Sequence, residues 1–134
     1  MQARFAEHGL VYSPPDVIPN TKLALRVTEL ARDRGLHEAA HDRLMDAYWS
    51  EGENIGDPET LRRLAAEVGL EEDAVDEVLA GDGYAARIAA STEQAHSIGI
   101  NGIPAFLLGS RLLVLGAQPR EVFERAIAQL GDPA

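Results

Sequence analysis

From Asn20 to Ile98 the apolar residues recur at helical spacing, and at Gly99 that period stops and gives way to short unbroken apolar runs. This change of period constrains the fold more than any single residue. A stripe at 3.6-residue spacing buries one face of a helix, whereas a run of three or four apolar residues beside a turn signal reads as a strand. Phe106-Leu107-Leu108 and Leu112-Leu113-Val114-Leu115 flank Gly109-Ser110, which predicts a hairpin with a two-residue, glycine-first turn. Because neither run alternates, the sheet is expected to be covered on both faces.

Ahead of the hairpin the spacing predicts five helices. Asn20 is placed to cap the first, which carries Leu23, Val27, Leu30 and Ala31 inward and stops at Gly35. The second spans about Leu36 to Glu51, with Ala40, Leu44, Met45, Tyr48 and Trp49 on one stripe. This makes the two aromatics core or interface residues rather than a binding platform. Asp57-Pro58 is an N-cap with proline at the first helical position, and Leu61, Leu64, Ala65 and Val68 follow it. A short acidic helix covers about Glu71 to Leu79, and a longer one about Ala85 to Ile98 turns Ile88, Thr92 and Ala95 inward. After the hairpin, Pro119 opens a last helix with Val122, Phe123, Ala126, Ile127 and Leu130 on its inner face. Residues 1–20 are weakly patterned, a helix end running into an extended piece and the proline-stiffened connector Pro14-Pro15-Asp16-Val17-Ile18-Pro19. The class is α+β and mostly helical, one domain over 1–134, with a helical part at about 20–98 and a β-β-α part at about 99–131.

With 134 residues, 46% of them hydrophobic, the chain can bury one sizeable core. A formal net charge of −10 argues against nucleic acid, whose phosphates demand clustered Lys and Arg. No apolar run approaches the roughly 20 residues of a membrane span, and the N-terminus lacks the apolar core of a signal peptide, so a cytoplasmic protein without a membrane partner is expected. Cysteine is absent, which removes disulfides, thiolate metal sites and cysteine nucleophiles from this chain itself.

Three motifs invite a chemical reading. His37-Glu38-Ala39-Ala40-His41 matches the H-E-x-x-H zinc pattern, but it sits at a helix start without an evident third ligand, so two solvated histidines and no metal are expected. The acidic group Glu71, Glu72, Asp73, Asp76 and Glu77 lacks the spacing and central glycine of a calcium loop and reads as a solvated face. No cofactor is expected. The third is Ile100-Asn101-Gly102-Ile103-Pro104-Ala105-Phe106, a tight loop that puts proline where a strand should begin to donate hydrogen bonds. On local grounds Pro104 either begins an edge strand in the trans form or turns the backbone through a cis bond, which costs an X-Pro pair only about 0.5–1 kcal/mol.

Three stretches in order, PNTKLALRVTELA from Pro19, LMDAYWSEGENIGD from Leu44 and AHSIGINGIPAFLLGSRLLVLGAQP from Ala95, resemble the DsbA-like thioredoxin superfamily, in particular its FrnE-type branch. That branch is related to the 2-hydroxychromene-2-carboxylate isomerases and kappa-class glutathione transferases. The resemblance implies a partial thioredoxin-like fold with a helical insertion and a C-terminal hairpin plus helix. It implies that Pro104 is the cis-proline of the substrate loop, and that Gly102, Ile103 and Pro104 face a substrate thiol, a peptide backbone or glutathione. It brings Asn20 and Arg26 toward the same cleft, although Asn20 is also a good helix cap and Arg26 could simply pair with a neighbouring helix.

The family's opening strand, its Cys-x-x-Cys, its first helix and its second strand have no counterpart here. The chain therefore reads either as a piece of a thiol-disulfide oxidoreductase or as a naturally shortened relative, without a catalytic residue of its own. Two alternatives stay open: a non-catalytic peptide-binding or dimerisation module, and a relative of the glutathione-dependent isomerases and transferases. Because a lone hairpin is marginal in water, a homodimer is expected, in which a second copy or the segment around Leu10 to Tyr12 covers the sheet.

Overall fold

A computed structural model describes residues 1–131. The chain divides into two compact units, one from Met1 to Ile88 and one from Ala89 onward, and the boundary falls inside a helix.

The first unit is all-helical. Its elements are α1 (Gln2–Glu7), α2 (Lys22–Asp33), α3 (His37–Trp49), α4 (Pro58–Glu67), α5 (Glu72–Ala80) and the start of α6 (Ala85–Ser97). Helix α2 is central and packs on α3, α4 and α5, because its buried Ala24, Val27, Leu30 and Ala31 repeat every three or four residues and so form one stripe. The opposing stripes supply Ala40, Leu44 and Ala47 from α3, Leu61, Leu64 and Ala65 from α4, and Val75 and Val78 from α5. Leu61 has no exposed surface, and burying such a side chain contributes about 1.5–3 kcal/mol.

Helix α4 begins where expected, since Asp57 Oδ2 accepts from the Thr60 N–H at 3.0 Å and Pro58 stands at the first helical position. On the rim, Arg43 of α3 bonds both Glu67 of α4 and Glu51, tying the end of one helix to the next across solvent.

The expected stripe of α3 needs correcting. Met45 is exposed, and it is Ala47 that completes the buried face. Tyr48 and Trp49 are half-buried, in a cluster where Trp49 stacks on Tyr12 and meets Phe5 of α1. The weakly patterned N-terminus thus acquires structure from long-range aromatic contact. Ser13 N–H donates to the Trp49 carbonyl at 2.6 Å and Ser50 Oγ to the Val11 carbonyl at 2.8 Å, so the connector runs along the end of α3.

The second unit holds the rest of α6, an antiparallel hairpin of β1 (Ala105–Leu108) and β2 (Leu112–Leu115), and α7 (Arg120–Leu130). Ala105 pairs with Leu115, Phe106 with Val114, Leu107 with Leu113 and Leu108 with Leu112. Three residues therefore separate the strands rather than two. Arg111 N–H donates to the Leu108 carbonyl, and both Gly109 and Ser110 have positive φ, whereas a glycine-first turn needs it only at the first position.

Helix α7 packs on β2, and Phe123 meets Phe106 edge-on with ring centroids 5.0 Å apart. Val114 and Ala126 are buried there, while Ile127, expected on the inner face, is exposed. Coverage on both faces is likewise not met: Phe106, Leu107 and Leu115 each keep two-fifths or more of their surface. The segment from Leu10 to Tyr12 adds no strand among the described residues; Tyr12 belongs to the aromatic cluster of the first unit.

Candidate functional site

The loop before β1 is built by two departures from regular structure. Helix α6 ends at Ser97, the turn that follows runs through Gly99, and the Ile100 N–H turns back to the Ala95 carbonyl at 3.0 Å. The chain then leaves through Asn101 and Gly102, and the Ile103–Pro104 peptide is cis. Ile103 is 94% exposed, an unusual position for a large apolar side chain. Its N–H and C=O have no hydrogen-bond partner among the described residues of this unit.

Pro104 is held from the other side. Its carbonyl accepts the Gly116 N–H at 2.8 Å, which extends the hairpin ladder by one pair. Gly102, Ile103 and Pro104 thus form one continuous exposed segment, fixed at its C-terminal end and open at its centre.

Asn20 and Arg26 belong to the first unit. Asn20 Oδ1 accepts the Lys22 N–H at 3.0 Å, so the side chain satisfies an orphan donor at the start of α2 from one residue before Thr21, the cap position. A Cβ on Gly56 would lie 3.1 Å from the Asn20 carbonyl and 3.2 Å from Pro19 Cβ, so the chain near Asn20 rests directly on Gly56. Arg26 Nη1 donates to the Gly81 carbonyl at 2.6 Å. That bond ties α2 to the C-terminal end of α5, whose last carbonyls have no intrahelical partner. Gly81 also lines an open depression of about 450 Å³, together with Arg34, Val78 and Tyr84.

The histidine pair is engaged locally. Arg32 Nη2 lies 2.9 Å from His37 Nε2. His41 Nδ1 faces Asp42 at 3.4 Å.

One polar cluster was invisible to sequence reading. Arg87 of α6 and Tyr84 both bond Asp33 at the end of α2, at 2.8 Å each, and the guanidinium also stacks on the Tyr84 ring. The Arg87 hydrogen bond, followed by that of Tyr84, holds the Asp33 carboxyl below its ordinary value. Burial, then the Asp33 hydrogen bond, raises the Tyr84 hydroxyl. No local spacing announces partners more than fifty residues apart in the chain.

Comparison with known proteins places this arrangement. The model of the DSBA-like thioredoxin domain matches residues 1–128, and the chain belongs to that family. It superposes on the crystal structure of a probable DsbA oxidoreductase from Streptomyces coelicolor with a TM-score of 0.87 and 35% identity, covering 99% of this chain and 58% of that one. It is 29% identical over 123 residues to the uncharacterised protein YwbO of Bacillus subtilis strain 168, covering 90% of this chain and 61% of YwbO. The chain therefore spans about three-fifths of the length of each of these relatives. Among the described residues no helix is long and apolar enough to cross a membrane.

Proposed function

We propose that this chain provides the helical part and the substrate-binding loop of a thiol-disulfide oxidoreductase of the FrnE type, with Gly102, Ile103 and Pro104 receiving an extended stretch of substrate protein. The observation that carries the reading is Ile103, an exposed residue beside a strand of a DSBA-like chain whose backbone donor and acceptor have no partner among the described residues of its unit. An extended peptide binds such an edge by main-chain hydrogen bonds, and its side chains then find their own pockets.

The chemistry itself needs a thiolate that attacks a disulfide sulfur and expels the other sulfur as a thiolate, through a mixed disulfide. This chain has no cysteine, so in this reading the nucleophile lies outside it, and the loop's part is to hold the substrate strand in place. Asn20 and Arg26 take structural roles, at the start of α2 and at the end of α5, that leave most of the Arg26 donors available to a ligand.

Titration of isotope-labelled chain with an uncharged extended peptide tests this. The largest amide shifts are expected at Gly102, Ile103 and Ala105. Shifts confined to other residues would overturn the substrate-loop reading. A parallel titration with glutathione that moves the same amides while the peptide does not would assign the loop to the isomerase and transferase lineage instead.

A further inference from the structure

Where a strand gives way to a turn, its last carbonyls lose their ladder partners and must find others. At the end of β2 one residue takes two of them. Gln118 Nε2 donates to the Leu115 carbonyl at 2.8 Å, and the Gln118 N–H donates to the Gly116 carbonyl at 3.0 Å. The Leu115 carbonyl and the Gly116 N–H are the two ends of one planar peptide group and point in opposite directions. That same Gly116 N–H donates to the Pro104 carbonyl at 2.8 Å. Gln118 thus grips the oxygen end of the peptide whose nitrogen end fastens the candidate loop.

A planar group held at its oxygen cannot swing its N–H away from Pro104 without giving up that hold. Accepting a bond at oxygen also polarises the peptide and strengthens the bond its N–H donates. The support behind Gln118 is firm, because Pro119, with φ −59°, opens α7, whose Phe123 meets Phe106 and whose Ala126 is buried. Gly116, at φ +82°, folds the chain so that the Gln118 amide lies over it, 3.7 Å from where a Cβ would stand. A side chain that reaches back three residues to a carbonyl must be long and must donate. Glutamine is both, whereas an ionised glutamate only accepts and methionine has the length without an N–H.

We propose that Gln118 is a positioning residue for the substrate loop: through the Leu115–Gly116 peptide it holds Pro104, and with it Gly102 and Ile103, in the arrangement that receives an extended peptide. The inference rests on the substrate-loop reading given above. Gln118 itself touches no substrate in this role. It raises the fraction of molecules in which the loop is in place, and apparent affinity follows that fraction.

The test compares the isotope-labelled chain with its Gln118→Met, Gln118→Glu and Gln118→Lys variants, each titrated with an uncharged extended peptide and followed at the amides of Gly102, Ile103 and Ala105. Gln118→Met and Gln118→Glu should bind roughly 2- to 10-fold more weakly, the worth of one hydrogen bond. Gln118→Lys, which keeps the length and a donor, should recover most of that loss. Without peptide, amide exchange at Gly116 should quicken in the Met and Glu variants while exchange at Val114, farther back along β2, keeps its rate. This separates the loss of one grip from a general loosening of the hairpin. Unchanged exchange at Gly116, exchange that quickens equally at Val114, unchanged affinity in both donor-free variants, or a Lys variant as weak as the Met variant would each overturn the positioning role and leave the substrate-loop reading standing. If the unsubstituted chain shows no peptide shifts at these amides, the substrate-loop reading fails and takes the positioning role with it.

Discussion

The Gly116 N–H donates to the Pro104 carbonyl at 2.8 Å, and no bond returns, because proline has no N–H to give. The Gly116 carbonyl accepts instead from the Gln118 N–H at 3.0 Å, within the turn that leads to α7. One residue thus anchors the candidate loop on one side and the closing helix on the other.

Gly116 has φ +82°, a conformation that side chains rarely adopt. Gly116→Ala should therefore destabilise the hairpin by about 1–2 kcal/mol through backbone strain alone, since the added Cβ would meet nothing closer than Gln118 Nε2 at 3.7 Å. A lower urea midpoint, with the largest chemical-shift changes between Gly102 and Gln118, is the expected result.

The core of the first unit should respond on a larger scale. Leu61→Ala empties a fully buried site among α2, α3 and α4 and should cost about 2–5 kcal/mol. Ile127→Ala, at a residue 59% exposed, should stay within about 0.5 kcal/mol. Urea denaturation of both variants checks the ranking, and a reversed order would contradict the burial of α7 described above.

The Asp33 cluster predicts a pH dependence with a definite sign. Arg87 and then Tyr84 hold the carboxyl below its unfolded value of 3.8, so between the folded and unfolded values the unfolded chain binds more protons. The cluster's contribution is complete above pH 3.8 and is lost as pH falls through the lower, folded value. Arg87→Gln should move the titration midpoint of Asp33 upward, toward 3.8, as followed by carboxyl carbon shifts.

Thiol exchange requires a thiolate. The purified chain should accordingly leave the rate of insulin reduction by dithiothreitol unchanged. Turbidity traces that coincide with and without the protein are expected, and a clear acceleration would mean that a route other than cysteine chemistry operates.

Reading the sequence located the helices because the forces that start and stop them act over a few residues. Asp57 reaches the Thr60 N–H three positions on, Pro58 tolerates the loss of its own N–H, and the Leu61-Leu64-Ala65 spacing turns one face inward regardless of what it meets. The hairpin was legible for the same reason, since Gly109 and Ser110 break two apolar runs. Its loop length and the exposure of Phe106, Leu107 and Leu115 were not, because they depend on what packs against the strands and not on the strands themselves. Ala47 displaced Met45 from the buried face of α3, and Trp49 found Tyr12 and Phe5, through contacts between distant segments. Arg26 met the Gly81 carbonyl and Arg87 met Asp33 across separations of more than fifty residues. By itself the sequence determined where the backbone coils, extends and turns, since those choices are settled by neighbours along the chain. Only the tertiary structure decided which polar groups are satisfied and which, as at Ile103, find no partner among the described residues of their unit, since hydrogen-bond partners are found in space.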